Sequence, residues 1–452
     1  MQIIGEHAVV IGASMGGLTV ARVLAEAYRT VTVVDRDALP DGPEQRGGVP
    51  QGRHAHGLLA RGRLALEELF PGLSDDLVSR GAIQADLMAA ARWYQNGVRQ
   101  ASADSGLDGL LVSRPLLEAA VRDRVRALPN VRVLAGRTVT GLVLTPDNRR
   151  VVGVRVGDRI LDCDLAVDAS GRTSRSPDWL HTAGYQRPPV DEVKMGIGYT
   201  TRTYRRTPQH AGGALAVLVG ADPAHPRPAA MLAVEGDRWT LTLGGYAGDH
   251  PPLDDHGFLA FARSLPAPEL AEVIRTAEPV GDPIAFRYPK SVRRRYERLR
   301  GFPAGYLVAA DAMCSFNPIY GQGMTVAAAE ALALRDCLAA GERELARRFF
   351  AAAAKIVDVP WSLAAGADLR FAHVPGPRPL PVRLINAYVA RLQRTAAHDT
   401  VVGIAFMRVA NLIDPPSVLF RPGVVLRVLA GGRRHPAPRP AITTAVEVPD
   451  VA

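Results

Sequence analysis

Ala8-Val-Val-Ile-Gly12 is a continuous apolar run, the pattern of a strand buried on both faces, and it leads directly into Gly12-Ala-Ser14-Met15-Gly-Gly17. An Ala/Leu-rich helical stretch follows from Leu18 to Ala27, then Thr30-Val-Thr-Val-Val34, which ends in Asp35. Strand, tight turn, helix and strand in this order make a βαβ unit, which commits the chain to a parallel sheet with helices packed against it. Gly12, Ser14 and Gly17 have the spacing of a dinucleotide-binding turn, with serine where the second glycine usually sits. Gly12 permits the turn and Gly17 permits close helix packing. The helix start, at Ser14 and Met15, offers free N–H groups and a positive dipole end to a pyrophosphate. Asp35 lies 18 residues beyond Gly17, at the tip of the second strand. A carboxylate there can accept both hydroxyls of an adenosine ribose and disfavours a 2′-phosphate, and Arg36 beside it joins the candidate cofactor-binding residues. The alternative is a plain glycine turn with Asp35 as a cap.

A second constellation lies nearly three hundred residues later. The strand Tyr306-Leu-Val-Ala-Ala310 ends at Asp311, a loop carries Pro318, and Gly321 and Gly323 open a second helix at Met324. The first N–H groups of that helix would suit the N1/C2 carbonyl edge of a flavin, where negative charge develops on reduction, and Asp311 would bind a ribityl hydroxyl. Asp311 as a helix cap above a simple glycine turn is the competing reading. The segment from Ala310 to Ala331 resembles the second FAD fingerprint of the para-hydroxybenzoate hydroxylase superfamily. Its Gly-Gln-Gly-Met-Thr-Val-Ala ending is closer to squalene epoxidase and the polyether-antibiotic (polyene) flavin epoxidases than to typical phenol hydroxylases.

Other stretches extend this resemblance over roughly residues 5 to 345. Val33-Val-Asp-Arg-Asp-Ala-Leu-Pro40 and Gly48-Val-Pro-Gln-Gly-Arg-His-Ala-His56 resemble the polyether epoxidase group. By that resemblance Arg53 is a candidate for the cofactor, and His54 and His56 are either neighbours of the flavin or hydrogen-bonded loop residues. Ser113-Arg-Pro-Leu-Leu-Glu118 resembles the family's helix start that lends an arginine to FAD, so Arg114 serves the cofactor or forms a surface ion pair. The chain departs from the family at Asp168-Ala-Ser170-Gly171, where aromatic hydroxylases carry Asp-Gly. That departure loosens the case for direct NAD(P)H binding and makes a separate flavin reductase the expected route for electrons. The resemblance implies an FAD-dependent monooxygenase. It would insert one oxygen from O2, through a flavin C4a-hydroperoxide, into an apolar polyketide- or terpenoid-like substrate, with alkene epoxidation in secondary metabolism as the expected reaction. Aromatic or polyketide hydroxylation, or flavin-dependent reduction on the same fold, is the alternative. A halogenase is disfavoured by the lack of a Trp-x-Trp-x-Ile-Pro motif. No catalytic side chain is assigned, because the flavin carries the chemistry, and no metal is expected.

The rest of the chain predicts a mixed α/β protein with a glutathione-reductase-like FAD-binding Rossmann domain. Val131 to Asp168 reads as a β-meander, and hairpins are signalled at Asn96-Gly97 and Glu235-Gly-Asp. The expected organisation is a discontinuous FAD-binding domain (1–80, 105–176 and 290–345), a substrate-binding sheet domain (81–104 and 177–289), a helical C-terminal region (346–432) broken by prolines such as Pro360, and a flexible tail (433–452). The sheet domain should roof the flavin, with Met195, Tyr199, Met231, Trp239, Tyr246 and Phe286 as candidates for an apolar pocket; each is also a plausible core residue. With 47 % hydrophobic and 22 % charged residues, the chain is neither disordered nor collagenous. The net charge of +9 comes from arginines scattered along the chain, only Lys194, Lys290 and Lys355 being lysine, so nucleic acid is not an expected partner. The densest runs are Arg293 to Arg295, which an anionic nicotinamide phosphate could use, and Arg433-Arg434. Cys163, Cys314 and Cys337 fit neither a disulfide framework nor a zinc site. No stretch reads as a membrane span or a signal sequence, so a cytoplasmic location is expected.

Overall fold

The computed structural model describes residues 2–431, and the tail from 433 to 452, with Arg433 and Arg434, lies outside the described residues. The βαβ unit forms as its pattern requires: strand Gly5–Ile11, helix Met15–Leu24 and strand Tyr28–Val34. These strands sit at the centre of a five-stranded sheet in the order Tyr306–Val308, Leu165–Asp168, Gly5–Ile11, Tyr28–Val34, Val131–Leu134. All four pairings are parallel. The register sets Ile11 beside both Asp168 and Val34, and Asp168 beside Val308, so four chain segments leave the sheet at one carboxyl edge. In an open parallel sheet that edge is where a ligand crevice forms.

The expected meander is divided. Val139–Leu144, Val151–Val156 and Arg159–Asp162 form a separate antiparallel sheet, while Val131–Leu134 and Leu165–Asp168 join the parallel one. Leu165 to Asp168 are all buried, which suits a central strand and not a surface hairpin.

A seven-stranded sheet stands over the carboxyl edge, with the order Pro279–Tyr288, Ile197–Arg205, Arg238–Gly245, Ala229–Val234, Ala216–Val219, Ala91–Gln95, Val98–Arg99. Both predicted hairpins close it, and each turn carries two residues of positive φ, Asn96 with Gly97 and Gly236 with Asp237, the geometry that matches strand twist. Trp239, Met231, Leu241 and Phe258 form a core on the sheet's far side, under the helices Asp255–Arg263 and Pro268–Thr276.

One expectation is corrected by the C-terminal helices. Leu345–Asp368 runs unbroken for 24 residues with Pro360 inside it, because Phe349, Phe350, Val357 and Trp361 anchor both halves in the main core. By length and a mean hydropathy of 1.2 over 18 of its residues it reaches the minimum for a membrane-crossing helix, but it carries Lys355 and Asp358, not the uncharged run a span requires, and here it packs on Gly323–Ala339. The helices Leu380–Thr395, Thr400–Ala410 and Pro422–Gly431 share a smaller core around Leu392, Val402 and Val428.

The run Arg293 to Arg295 is not free to attract a phosphate. Arg293 is buried and pairs with Asp358 at 2.7 Å, Arg294 donates to the carbonyls of Ala312 and Arg172, and Arg295 pairs with Asp191.

Candidate cofactor and substrate site

Between the carboxyl edge of the parallel sheet and the seven-stranded sheet lies a cavity of about 1130 Å3. Gly12, Ser14, Met15, Asp35 and Arg36 border it from the first turn, and Asp311, Pro318, Gly321, Gly323 and Met324 from the second. The two turns touch. Ala310 holds a positive φ of 56° that projects its methyl toward Gly16, where an added Cβ would come within 2.5 Å. Glu330, on the helix that follows, accepts the Ala310 N–H at 2.6 Å and so fixes this bend. Gly17 faces away from the cavity: a Cβ there would lie 1.8 Å from the Gly12 carbonyl oxygen, so its role is the close packing of helix on strand.

One wall is ionic and buried. Arg46 meets Glu118 at 2.7 Å, Asp35 at 3.2 Å and Asp37 at 3.3 Å, and its side chain is 5 % exposed. Glu118 also accepts from Arg114 and from the Ser14 hydroxyl, each at 2.8 Å, while Arg114 donates to Ser14 as well. Asp35 accepts the Ala13 N–H at 2.6 Å and the Asp37 N–H at 2.8 Å, so its carboxylate ties the glycine turn to the second strand. Burial pushes the Glu118 carboxyl up, but Arg114 and Arg46 outweigh it and hold it below the usual range. Arg114 is therefore not in a surface ion pair; it is buried and lines the cavity. Arg46 Nη2 and Arg114 Nε have no hydrogen-bond partner among the described residues, although they are buried. Donors left open beside a helix start fit an anionic group with several acceptor oxygens. On the opposite turn, burial pushes the Asp311 carboxyl up while Arg114 and Arg172 pull it down.

The facing wall is mostly uncharged. Tyr199 and Phe286 stack 6.3 Å apart on neighbouring strands, and the His54 ring lies against both, at 6.0 and 5.4 Å. Arg172 caps this wall over Phe286 and Tyr288, 5.4 Å from each ring. At the C-terminal end, Asn317 and Tyr320 line the cavity and donate to the fully buried Asp368 at 2.9 Å each, and Tyr246 donates to it at 3.2 Å. Burial raises the Asp368 carboxyl to about 6, against those three donors.

Tyr199, Phe286, His54 and His56 thus border the cavity, whereas Met195, Met231, Trp239 and Tyr246 do not. Met231 and Trp239 are buried in the core behind the sheet, Met195 in the main core, and Tyr246 stacks on Phe371 at 4.4 Å. Arg53 is exposed and off the cavity, and Arg46 occupies the buried position in that loop. The Asp168 carboxylate is spent on Ser170 N–H and on the hydroxyls of Ser174 and Ser176, while Ser170 and Gly171 line the cavity. Arg46, Glu118, Arg172, Tyr320 and Asp368 were not evident from sequence as site residues. Only Glu118, four residues after Arg114 on a helix, carried a local signal.

No protein-family model matches the chain. Protein Rv3254 of Mycobacterium tuberculosis is 36 % identical over 430 residues, covering 90 % of each chain. Among solved structures, the chain is similar to pqsL, a probable FAD-dependent monooxygenase from Pseudomonas aeruginosa, at 19 % identity and a TM-score of 0.60, over 82 % of this chain and 99 % of that one. It is similar also to the p-nitrophenol 4-monooxygenase PnpA from Pseudomonas putida, at 17 % identity and a TM-score of 0.62, over 91 % of this chain and 98 % of that one. At these identities the two structures establish a shared fold.

Proposed function

From a chain that belongs to the family of Protein Rv3254 and has the fold of pqsL and PnpA, we propose an FAD-dependent monooxygenase that inserts one atom of O2 into a small apolar molecule. The observation that carries this reading is the convergence on one cavity of two glycine turns, two helix starts and two carboxylates, Asp35 and Asp311, from opposite ends of the chain. FAD would lie along the ionic wall. Gly12, Ser14 and Met15 would face its pyrophosphate, Asp35 and Arg36 its adenosine ribose, and Arg114 the linker; Asp311 would face the ribityl chain, with Pro318, Gly321, Gly323 and Met324 beneath the ring. Once reduced, FAD supplies the electrons that activate O2 for transfer of a single oxygen atom. The protein's tasks are then to orient the substrate and exclude water, and the wall of Tyr199 and Phe286 is suited to both.

The finer reading is epoxidation of an alkene in a polyketide- or terpenoid-like substrate, supported by this uncharged wall and by the epoxidase-like Gly321-Gln-Gly-Met324. Epoxidation needs no proton removed from the substrate. Hydroxylation of a phenol is the second reading, favoured by one observation: the Tyr320 hydroxyl at the cavity is hydrogen-bonded to the buried Asp368, a route by which a proton could leave. Electrons would come from NAD(P)H through a separate flavin reductase, since Ser170 replaces the acid expected beside Gly171 and Arg293 to Arg295 are engaged internally.

The test is direct. The purified protein should be yellow and release FAD, not FMN. With a flavin-reducing system and O2, a panel of polyenes and phenols should yield products heavier by one oxygen in mass spectrometry. Products heavier by two hydrogens would instead make the protein a reductase, and absence of bound flavin would end the reading. NADPH alone reducing the flavin as fast as turnover would remove the reductase partner.

A further inference from the structure

His54 and His56 stand two residues apart at the cavity, and their hydrogen bonds fix which ring nitrogen of each carries the proton. His56 Nδ1 lies 2.9 Å from the His54 carbonyl oxygen. A carbonyl only accepts, so in the neutral ring His56 is protonated at Nδ1. His54 is governed by a chain of hydroxyls. The Ala55 N–H donates to Thr242 Oγ1 at 2.9 Å, Thr242 Oγ1 lies 2.5 Å from Thr201 Oγ1, and Thr201 Oγ1 lies 2.7 Å from His54 Nδ1. Thr201 and Thr242 are directly opposed on neighbouring strands, so the sheet register holds the two hydroxyls together.

Among the described residues, only one direction along this chain uses every proton. The backbone N–H must donate, so Thr242 accepts it and gives its own proton to Thr201, and Thr201 gives its proton to His54 Nδ1. Reversing the chain would make Thr242, which also lines the cavity, accept twice and leave its hydroxyl proton without an acceptor among the described residues. The unmade bond favours a ring protonated at Nε2. That Nε2 is buried and has no hydrogen-bond partner among the described residues. The His54 side chain lines the cavity against Tyr199 and Phe286.

We propose that His54 is a fixed hydrogen-bond donor, through Nε2–H, to a neutral oxygen or nitrogen acceptor of the molecule held in the cavity, and that it is not a general base. The chemical class this selects is an apolar ligand with a carbonyl-type acceptor, either a ketone of the substrate or a heteroatom of the flavin. The assignment rests on reading the cavity as a chamber for flavin and substrate. Burial and the neighbouring Arg53 push the ring's pKa down to about 4, which agrees with a neutral donor at physiological pH. The donor and the hydroxyls behind it come from two strands and one loop, so the tautomer is set before any ligand arrives.

The first test uses the wild-type protein with 15N-labelled histidine. Long-range proton–nitrogen correlation should show His54, identified by the loss of its signals in His54→Gln, protonated at Nε2, and His56 protonated at Nδ1. Thr201→Val should turn the His54 pattern into a mixture. A His54 ring protonated at Nδ1 overturns the proposal whether or not the protein binds FAD, so this result is separate from the fate of the proposed function. The second test compares 2-acetylnaphthalene with 2-ethylnaphthalene, which share an apolar body and differ in the acceptor, and in parallel titrates FAD into the flavin-free protein. If the acceptor belongs to the substrate, His54→Leu weakens the ketone by ~3- to 10-fold and spares both the hydrocarbon and FAD, and His54→Gln restores most of the loss. If it belongs to the flavin, FAD weakens by that factor instead. No change in either affinity in His54→Leu overturns the proposal.

Discussion

The two walls of the cavity are built from opposite kinds of chemistry. On the parallel-sheet side, Asp35, Asp37 and Glu118 are matched against Arg46, Arg114 and Arg122, with little of any of these side chains exposed. On the seven-stranded side the same depth is lined by Tyr199, Phe286 and neutral His54, with threonine hydroxyls behind. Charge is costly to bury unless it is paired, and on this wall the acids and arginines pair with one another while Arg46 Nη2 and Arg114 Nε keep no partner among the described residues. The other wall can orient a molecule by shape and by single hydrogen bonds, and it leaves apolar substrates the larger share of contact.

The strongest way to break this contrast is to remove the acid that holds the ionic wall together. Glu118→Ala leaves Arg46, Arg114 and Arg122 buried without their shared partner, and the expected loss is ~3 to 5 kcal/mol of stability in denaturant unfolding. Because the folded Glu118 pKa lies below its ordinary value, its stabilising contribution is present above the unfolded pKa and is lost as pH falls through the folded one. An Ala variant equal in stability to wild type would show that the wall is not ionically held. Next in size are Asp35→Ala and Asp311→Ala. Each should weaken FAD by ~1.5 to 3 kcal/mol, roughly 10- to 150-fold, in titrations of the flavin-free protein. Unchanged FAD affinity in either would take that carboxylate out of the site.

The contrast was only half legible in the sequence. The glycine turns and Asp35 and Asp311 could be placed because they are local patterns on strand ends, and the register of a parallel sheet then brings strand ends together. Arg46 could not be assigned, since its partner Glu118 lies 72 residues away and only the fold brings them to 2.7 Å; Arg53, closer to the recognisable His-Ala-His segment, drew the assignment instead. On the apolar wall, residue type does not distinguish pocket from core. Tyr199 and Phe286 face the cavity, whereas Trp239, on the strand beside Tyr199's, buries its ring on the far face and donates to His210. Alternation along a strand decides the face, and which face meets the ligand depends on what packs behind it.

A smaller effect tests whether the uncharged wall is helped by Asp368, the buried acid that Tyr320 and Asn317 bind. If phenols are hydroxylated, the rate should rise with pH as Asp368 ionises, near its raised pKa of about 6, because only the carboxylate can take the proton passed by Tyr320. Tyr246 and Asn317 also face that carboxylate and would keep their places in Asp368→Asn. The expected result is about tenfold slower phenol turnover, ~1.4 kcal/mol of barrier, with the rise near pH 6 gone. Alkene epoxidation should be unaffected. A retained pH limb in the variant would assign the titration to another group.

The smallest expected effect comes from the place where the two walls meet. Ser113 caps the helix Arg114–Arg126 by accepting the Leu116 N–H, and its own backbone N–H donates to Glu235, in the hairpin turn of the seven-stranded sheet. Ser113→Ala removes the cap and keeps the backbone link to Glu235. The cap bond is long at 3.3 Å, so the cost should fall in the lower part of the usual range for lost caps, ~0.5 to 1 kcal/mol. Arg114 and Glu118 are held by Ser14 and Arg46 from other elements, not by the helix start. FAD affinity should therefore stay within about twofold of wild type, less than ~0.5 kcal/mol. If affinity instead falls in step with stability, the ionic wall owes its geometry to the first turn of this helix, and the division between a preformed charged wall and an adaptable apolar one is drawn in the wrong place.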